Sequence, residues 1–285
     1  MCPPDVKGNV AAVSRQLGTS YSLLIKGSRI MQHQKRKEAT IAPGIYHFDT
    51  GPFNWYIIED EGRLTLVDAG FPGNYSIFTK GIASLGFDIK DLEAIILTHA
   101  HADHIGFAEK LRTQTKVPVY IHKEDAAMAG TALQLPWYGL LSNAWRPYIA
   151  TMLGTALVNG VFSLPKIRRV KTFVDGETLD VPGKPLVIHT PGHTAGEVVF
   201  YLPKRNVLFS GDTLVTRNLM TGKHGDPQVT HPLLNNDFTQ AHQSLGLLNE
   251  IGKVTMLSGH GKPWVGEMKE AIELASSSDP FLPKV

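Results

Sequence analysis

The sequence predicts an α+β fold in which two mixed β-sheets pack against each other with helices outside. Three observations predict it. Short apolar strand runs give way to helical spacing, and this happens twice along the chain. The two halves also echo each other: Leu66-Val67-Asp68-Ala69-Gly70 and Leu208-Phe209-Ser210-Gly211-Asp212 are both apolar runs ending in Gly and Asp, and Ile96-Leu97-Thr98-His99 corresponds to Met256-Leu257-Ser258-Gly259-His260. Finally, histidines and aspartates gather at strand ends, where they can converge along one edge between the sheets.

The strands begin at Ile45. Runs 45–48, 54–58 and 64–67 are rich in β-branched and aromatic residues, and Asp60-Glu61-Gly62 supplies a hairpin turn between the second and third. Phe71-Pro72-Gly73 breaks the chain, and 74–86 reads as a helix. Residues 94–97 form a short apolar run, a buried strand, and 105–111 has helical spacing with Asp103 as N-cap or first-turn acid. A strand at 117–121 and a helix at 123–129 follow. Strands return at 170–174, 179–181 and 186–189, and 198–202 pairs with 207–210 through Pro203-Lys204-Arg205-Asn206. A helix at 238–251, a strand at 254–257 and a helix at 263–275 complete the pattern.

Residues 126–165 stand apart. They carry one charged side chain, Arg146, among Met128, Trp137, Tyr138, Trp145, Tyr148, Met152 and Phe162, with Pro136, Gly139, Pro147 and Gly154 interrupting any continuous span. Helices covering the core, a lid or wall of an apolar substrate pocket, and a subunit interface all fit this composition.

A chain of 285 residues suggests one large domain or two small ones. Its hydrophobic fraction of 42% is ordinary for a globular protein, and the net charge of +2 gives no support for a nucleic-acid partner. The single cysteine, Cys2, excludes an intrachain disulfide and is too isolated to be a ligand. No run of 18 apolar residues predicts a membrane span, and the start lacks a secretory pattern, so a cytoplasmic enzyme is expected. The first 37 residues hold seven Lys or Arg against one acid, Asp5. Residues 1–40 therefore read as a solvated arm or peripheral helix, and either the arm or the 126–165 insert would serve a homodimer.

The chemistry concentrates in Thr98-His99-Ala100-His101-Ala102-Asp103-His104, on a strand-to-helix turn. Imidazole and carboxylate are ligands that borderline divalent metals prefer. On extended backbone His99 and His101 point to one side, while Asp103 and His104 follow where the chain turns and approach a second point. The spacing suits two adjacent metals better than one.

This stretch resembles the signature of the metallo-β-lactamase superfamily. Thr190-Pro191-Gly192-His193-Thr194-Ala195-Gly196, then Ser210-Gly211-Asp212-Thr213, then Ser258-Gly259-His260-Gly261 fit the same family in order, over about residues 44–265. The resemblance implies an αββα sandwich, with 41–285 as the catalytic domain. It implies that His99, His101 and His193 hold one metal, that Asp103, His104 and His260 hold a second, and that Asp212 bridges them. It places Asp68 beside the site, orienting a ligand histidine through a hydrogen bond; a turn or cap aspartate is the other reading. Seven N and O ligands without sulfur suit two divalent ions, zinc first, with iron or manganese as alternatives. Coordination lowers the pKa of water from about 15.7 to about 7, so a hydroxide held between the metals would attack an electrophilic carbonyl or phosphorus. Asp103 would pass a proton to the leaving group.

Departures from subfamily patterns narrow the substrate. β-Lactamases with a cysteine ligand carry it near the place of Asp212, and the all-histidine β-lactamases lack the bridging Asp. Glyoxalase II carries a C-terminal helical region for glutathione, whereas here the chain runs about 25 residues past His260. A tRNA-processing nuclease needs a basic arm, and the insert here is neutral. What remains is similar to the quorum-quenching lactonases and related esterases, which implies hydrolysis of neutral apolar esters, above all lactones. Trp137, Tyr138, Trp145, Tyr148 and His224 are the substrate-binding candidates, with Tyr138 or Tyr148 as the hydrogen-bond donor to the substrate carbonyl. A thioester hydrolase, a phosphodiesterase or ribonuclease, and a di-iron redox or non-enzymatic metal-binding protein are the rivals. His47, His122, His189 and His242 read as core or surface residues, and His231 borders the site.

Overall fold

The structure, a computed structural model, describes residues 40–131, 137–163 and 166–277, the Trp137 side chain excepted. The basic arm, all but Thr40 of it, lies outside the described residues. Seven strands form the first sheet in sequence order: β1 (Thr40–Ala42), β2 (Ile45–Asp49), β3 (Asn54–Asp60), β4 (Arg63–Val67), β5 (Leu92–Ile96), β6 (Val119–His122) and β7 (Lys171–Phe173). The first four pair antiparallel and the rest parallel, so the sheet is mixed. Between β3 and β4, Glu61 and Gly62 both have positive φ, +53° and +79°, the backbone a two-residue hairpin of this hand requires.

The second sheet runs in the order β14-β13-β10-β9-β8. Its strands are β8 (Leu186–His189), β9 (Val198–Leu202), β10 (Val207–Gly211), β13 (Lys253–Ser258) and β14 (Trp264–Glu267). Only β10 and β13 pair parallel. A separate hairpin joins β11 (Val215–Arg217) to β12 (His224–Gln228).

Period-two alternation builds the layers. Tyr56, Ile58, Val67 and Ile96 from the first sheet meet Val187, Val198, Phe200, Phe209 and Leu257 from the second in one buried cluster. The alternate residues Trp55, Ile57, Leu66 and Ile95 face outward against helices α1 (Tyr75–Ser84) and α3 (Ala108–Thr115), through Phe78, Ile82 and Leu111. On the far side, Val199, Leu208 and Met256 pack under α7 (Phe238–Ser244) and α8 (Met268–Ser277). The result is the four-layer αββα sandwich.

Four expectations need correction. Residues 179–181 are not a strand. Pro182-Gly183-Lys184 turns the chain there, Leu179 N–H donates to Pro185 O, and only a bridge from Thr178 to Leu186 remains. Leu179 and Val181 are still buried. The last helix starts at Met268 rather than 263, because Trp264–Glu267 pairs antiparallel with β13. The 238–251 helix is α only to Ser244 and tightens to a 3-10 turn over Leu245–Leu248 at the helix-weakening Gly246. The helix after the histidine cluster is split into α2 (Ala102–Ile105) and α3, because Gly106 N–H turns aside to Gly70 O at 2.6 Å.

Within the insert lie α4 (Ala126–Ala129), α5 (Trp137–Ser142) and α6 (Pro147–Val158). Ile149, Met152 and Ala156, spaced at helical repeat, are the buried face of α6. Among the described residues no helix is long and apolar enough to cross a membrane.

Candidate metal centre

The centre forms where the strands of both sheets end. β5 stops at Ile96; His99 and His101 follow on the loop, and α2 is a single turn that carries Asp103 and His104. His193 comes from the turn after β8, Asp212 from the end of β10 and His260 from the end of β13. All seven are buried, none more than 7% exposed.

The donor atoms fall into compact groups. One atom each from His99, His101 and His193 lie within 4.8 Å of one another, as do those of Asp103, His104 and His260. In the first group, His101 Nδ1 is 3.0 Å from His99 Nε2 and 2.9 Å from His193 Nε2. In the second, His260 Nε2 is 3.5 Å and His104 Nε2 3.7 Å from Asp103 Oδ2. Asp212 stands between the groups, with Oδ2 3.4 Å from His193 Nε2 and 3.1 Å from His260 Nε2. Its Oδ1 and His104 Nε2 are buried without a hydrogen-bond partner and lie 3.7 Å apart. Buried polar atoms are rarely left so. A cation shared by them would satisfy both, and the N/O donor set fits divalent zinc, iron or manganese.

The far side of each ring is held. His104 Nδ1 lies 2.9 Å from Asp68 Oδ2, and His260 Nδ1 lies 2.7 Å from Pro52 O. Donation from these Nδ1 atoms leaves Nε2 as the lone-pair nitrogen aimed into the centre. Asp68 adopts a left-handed backbone, φ +60°, tolerable for aspartate, and its carboxylate also accepts from Thr98 N–H and Oγ1–H. Gly259 permits the closest approach: a Cβ there would sit 2.4 Å from Asp212 Oδ1 and 2.6 Å from His104 Cε1.

Two buried acids escape the sequence reading. Glu197 Oε2 lies 3.1 Å from His99 Nδ1, and its Oε1 accepts from Asp212 N–H at 2.9 Å. Asp125 Oδ2 accepts from Ala100 N–H and Thr194 Oγ1–H, both at 2.9 Å, and its Oδ1 from Gly196 N–H at 2.7 Å. One carboxylate thus ties the loop of His99 and His101 to the loop of His193. A signal for Glu197 is present in the chain: it is the one acid between Asp180 and Asp212, and it opens an apolar strand.

With protein charges alone, burial and the neighbouring imidazoles hold His99 and His101 well below the usual histidine range. Burial lowers His193 as well. Burial opposes protonation of His104 too, but Asp103, Asp68 and Asp212 outweigh it and push that imidazole up to about 10. Burial would raise Asp212, yet His260 and His104 hold its carboxyl well below the carboxylate range. Burial, then the Asp212 charge, pushes Glu197 up. Bound cations would reverse the His104 shift, because a ligating imidazole must be unprotonated.

The expected substrate residues divide. Tyr138 is 79% exposed, because Leu140 takes the inward face of α5, and Trp145, on the turn after that helix, is 75% exposed. The Trp137 side chain lies outside the described residues. Tyr148 and His224 are brought together by Arg217, which donates from Nη1 to Tyr148 Oη at 2.9 Å and contacts His224 Nε2 through Nη2. Beside Asp103 lies a slot of about 30 Å³ lined by Phe53, Phe71, Leu140, Met152, Leu153 and Ala156, all apolar.

The fold has known counterparts. YobT of Bacillus subtilis, an uncharacterized protein, is 29% identical over 241 residues, covering 82% of this chain and 91% of its own. YflN of the same organism, a probable metallo-hydrolase, is 27% identical, covering 79% of this chain and 87% of its own. The crystal structure of TTHA1623 in a di-iron-bound form superposes with a TM-score of 0.55 at 26% identity, covering 83% of this chain and 98% of that one. The family model of the metallo-β-lactamase superfamily matches residues 49–260, and the chain belongs to that superfamily.

Proposed function

We propose that this metallo-hydrolase family member is a dinuclear metal-dependent hydrolase of neutral, apolar carboxylic esters, lactones foremost. His99, His101 and His193 hold one cation, Asp103, His104 and His260 the other, and Asp212 is shared. The observation that carries the reading is the pairing of two compact donor groups with an adjoining slot whose lining is apolar apart from Asp103. A charged phosphodiester finds no counter-charge in that lining.

Bound there, two such cations supply an activated water at neutral pH and polarise the substrate oxygen. The protein supplies the rest. Asp68 and the Pro52 carbonyl keep two imidazoles in register. Asp103, which lines the slot, carries a proton to the leaving oxygen. Tyr148 Oη accepts from Arg217, which frees its own O–H to donate to the substrate carbonyl. Zinc is the proposed metal. The di-iron form of TTHA1623 makes iron the second reading. A homodimer through the insert is favoured by Tyr138, Leu141, Trp145, Leu157, Val158 and Phe162, which all remain exposed.

The test is product release by zinc-loaded and iron-loaded protein from lactones and apolar esters, beside a phosphodiester and an acyl thioester. Ester or lactone turnover at least tenfold above the other two supports the reading. Phosphodiester cleavage without ester turnover sinks it in favour of a phosphodiesterase or ribonuclease. Thioester preference does so in favour of a thioesterase. A visible iron band with no hydrolysis points to redox or metal-binding roles.

A further inference from the structure

The slot beside Asp103 is small. The space open to the centre of a water molecule is about 30 Å³, above the roughly 10–15 Å³ that one water needs. Phe53 stands edge-on to Phe71 at 4.8 Å between centroids and edge-on to His260 at 5.6 Å, so the slot lies against the second donor group. The opposite wall comes from the insert. Leu140 on α5, with Met152 and Ala156 one turn apart on α6, are each no more than 8% exposed. Tyr148, a further turn back on the same helix, is held by Arg217. One face of α6 thus carries Tyr148 at its polar end and lines the slot beside Asp103 with its apolar end.

We propose that this slot is the alkyl subsite of the ester reaction put forward above, and that Leu140, Met152 and Ala156 restrict it to a chain of about one to three carbons. The proposal rests on that reading of the metal centre. Each methylene that enters an apolar slot strengthens binding severalfold, and the first that does not fit reverses the gain. A hydroxyl or charge on the same carbon finds no partner among Phe53, Phe71, Leu140, Met152, Leu153 and Ala156. The slot therefore selects for short unsubstituted alkyl groups. The small side chain at 156 leaves this room, and the flexible thioether of Met152 lines it.

The experiment uses straight-chain alkanoates from acetate to octanoate as ligands of the zinc-loaded full chain, by calorimetry. Matching phenyl esters are followed by kcat/KM. Affinity should peak at propanoate or butanoate and fall about tenfold by hexanoate. Met152→Ala should move the optimum at least two carbons longer. Ala156→Leu, which fills the slot, should weaken propanoate about tenfold. Leu141→Ala, on the exposed side of α5, should leave the profile unchanged. Affinity rising steadily to octanoate in the wild type overturns the proposal, as does a folded Met152→Ala protein with the wild-type profile. A short-chain optimum in binding without ester turnover keeps the slot and overturns the ester reading. Ester turnover with no chain-length optimum does the opposite.

Discussion

Oε2 of Glu197 lies 3.1 Å from Nδ1 of His99, and neither side chain is exposed to solvent. Thr98 Oγ1 lies 3.1 Å from the same nitrogen, and the ring's other nitrogen, Nε2, faces His101 Nδ1. The same carboxyl group takes the Asp212 N–H, so one buried acid stands against a ligand of the first donor group and against the residue between the groups. Partners of this kind typically carry 10–100-fold in metal affinity. Glu197→Gln keeps the shape and removes the charge. It should weaken metal binding about tenfold or more in competition with a chelator, with the fold intact by circular dichroism. Unchanged affinity would show that His99 is oriented by Thr98 alone.

Asp125 acts on the backbone rather than on a ligand. It is fully buried and accepts three hydrogen bonds from two loops distant in sequence. Removing the carboxylate strands Ala100 N–H and Gly196 N–H in a dry interior, at about 1–3 kcal/mol each. Asp125→Ala should therefore lower unfolding stability by about 3 kcal/mol or more in urea titrations. It should also loosen metal binding, since the His99 and His193 loops lose their tie. Loss of stability below about 1 kcal/mol would mean that the loops hold each other without it.

Asp212 touches both donor groups, at 3.4 Å from His193 Nε2 and 3.1 Å from His260 Nε2. Asp212→Ala should reduce bound metal from two equivalents toward one or none by elemental analysis, and should abolish nearly all hydrolysis. A variant that keeps both metals and its rate would refute the shared-ligand assignment.

The reach of the sequence follows the range of the interactions involved. Periodicity is local, so strands such as 54–58 and 64–67 and the turn at Glu61-Gly62 are readable from the chain. So is the crowding of His99, His101, Asp103 and His104, because burying that much polarity within six positions calls for a ligand. What escapes depends on distant partners. The β11–β12 hairpin includes His224-Gly225-Asp226-Pro227-Gln228, polar and proline-bearing, which reads as loop and becomes strand only by pairing with Val215–Arg217. Trp264–Glu267 reads as the first turn of a helix, but β13 recruits it as an edge strand. Asp125 and Glu197 look like ordinary acids until the fold brings them to Ala100 and His99. Tyr138 and Trp145 look like pocket residues by type, yet helical phase turns Tyr138 to solvent and Trp145 stands exposed on the turn between α5 and α6.

A second histidine pair lies away from the donor groups and gives the fold an acid limit. His122 on β6 stacks on His189 on β8, with centroids 4.0 Å apart, where the two sheets meet. Burial, and then the His189 charge, lower His122 from 6.5 to about 4. Above pH 6.5 the ring is neutral folded or unfolded and has no effect on the slope. Between pH 6.5 and 4 the unfolded chain takes up a proton that the folded ring refuses, so stability falls as pH falls. Below about 4 both states are protonated and the loss levels off. Every tenfold difference in proton affinity between the folded and unfolded chain is worth about 1.4 kcal/mol, and partial solvent screening trims the total to about 2 kcal/mol. Glu124 N–H donates to His122 Nδ1, a bond that an asparagine side chain can replace. Metal-stripped His122→Asn protein should therefore lose about 2 kcal/mol less than the wild type between pH 6.5 and 4, read from urea midpoints. Parallel pH profiles for the two proteins would assign the acid sensitivity to the buried histidines of the metal centre instead.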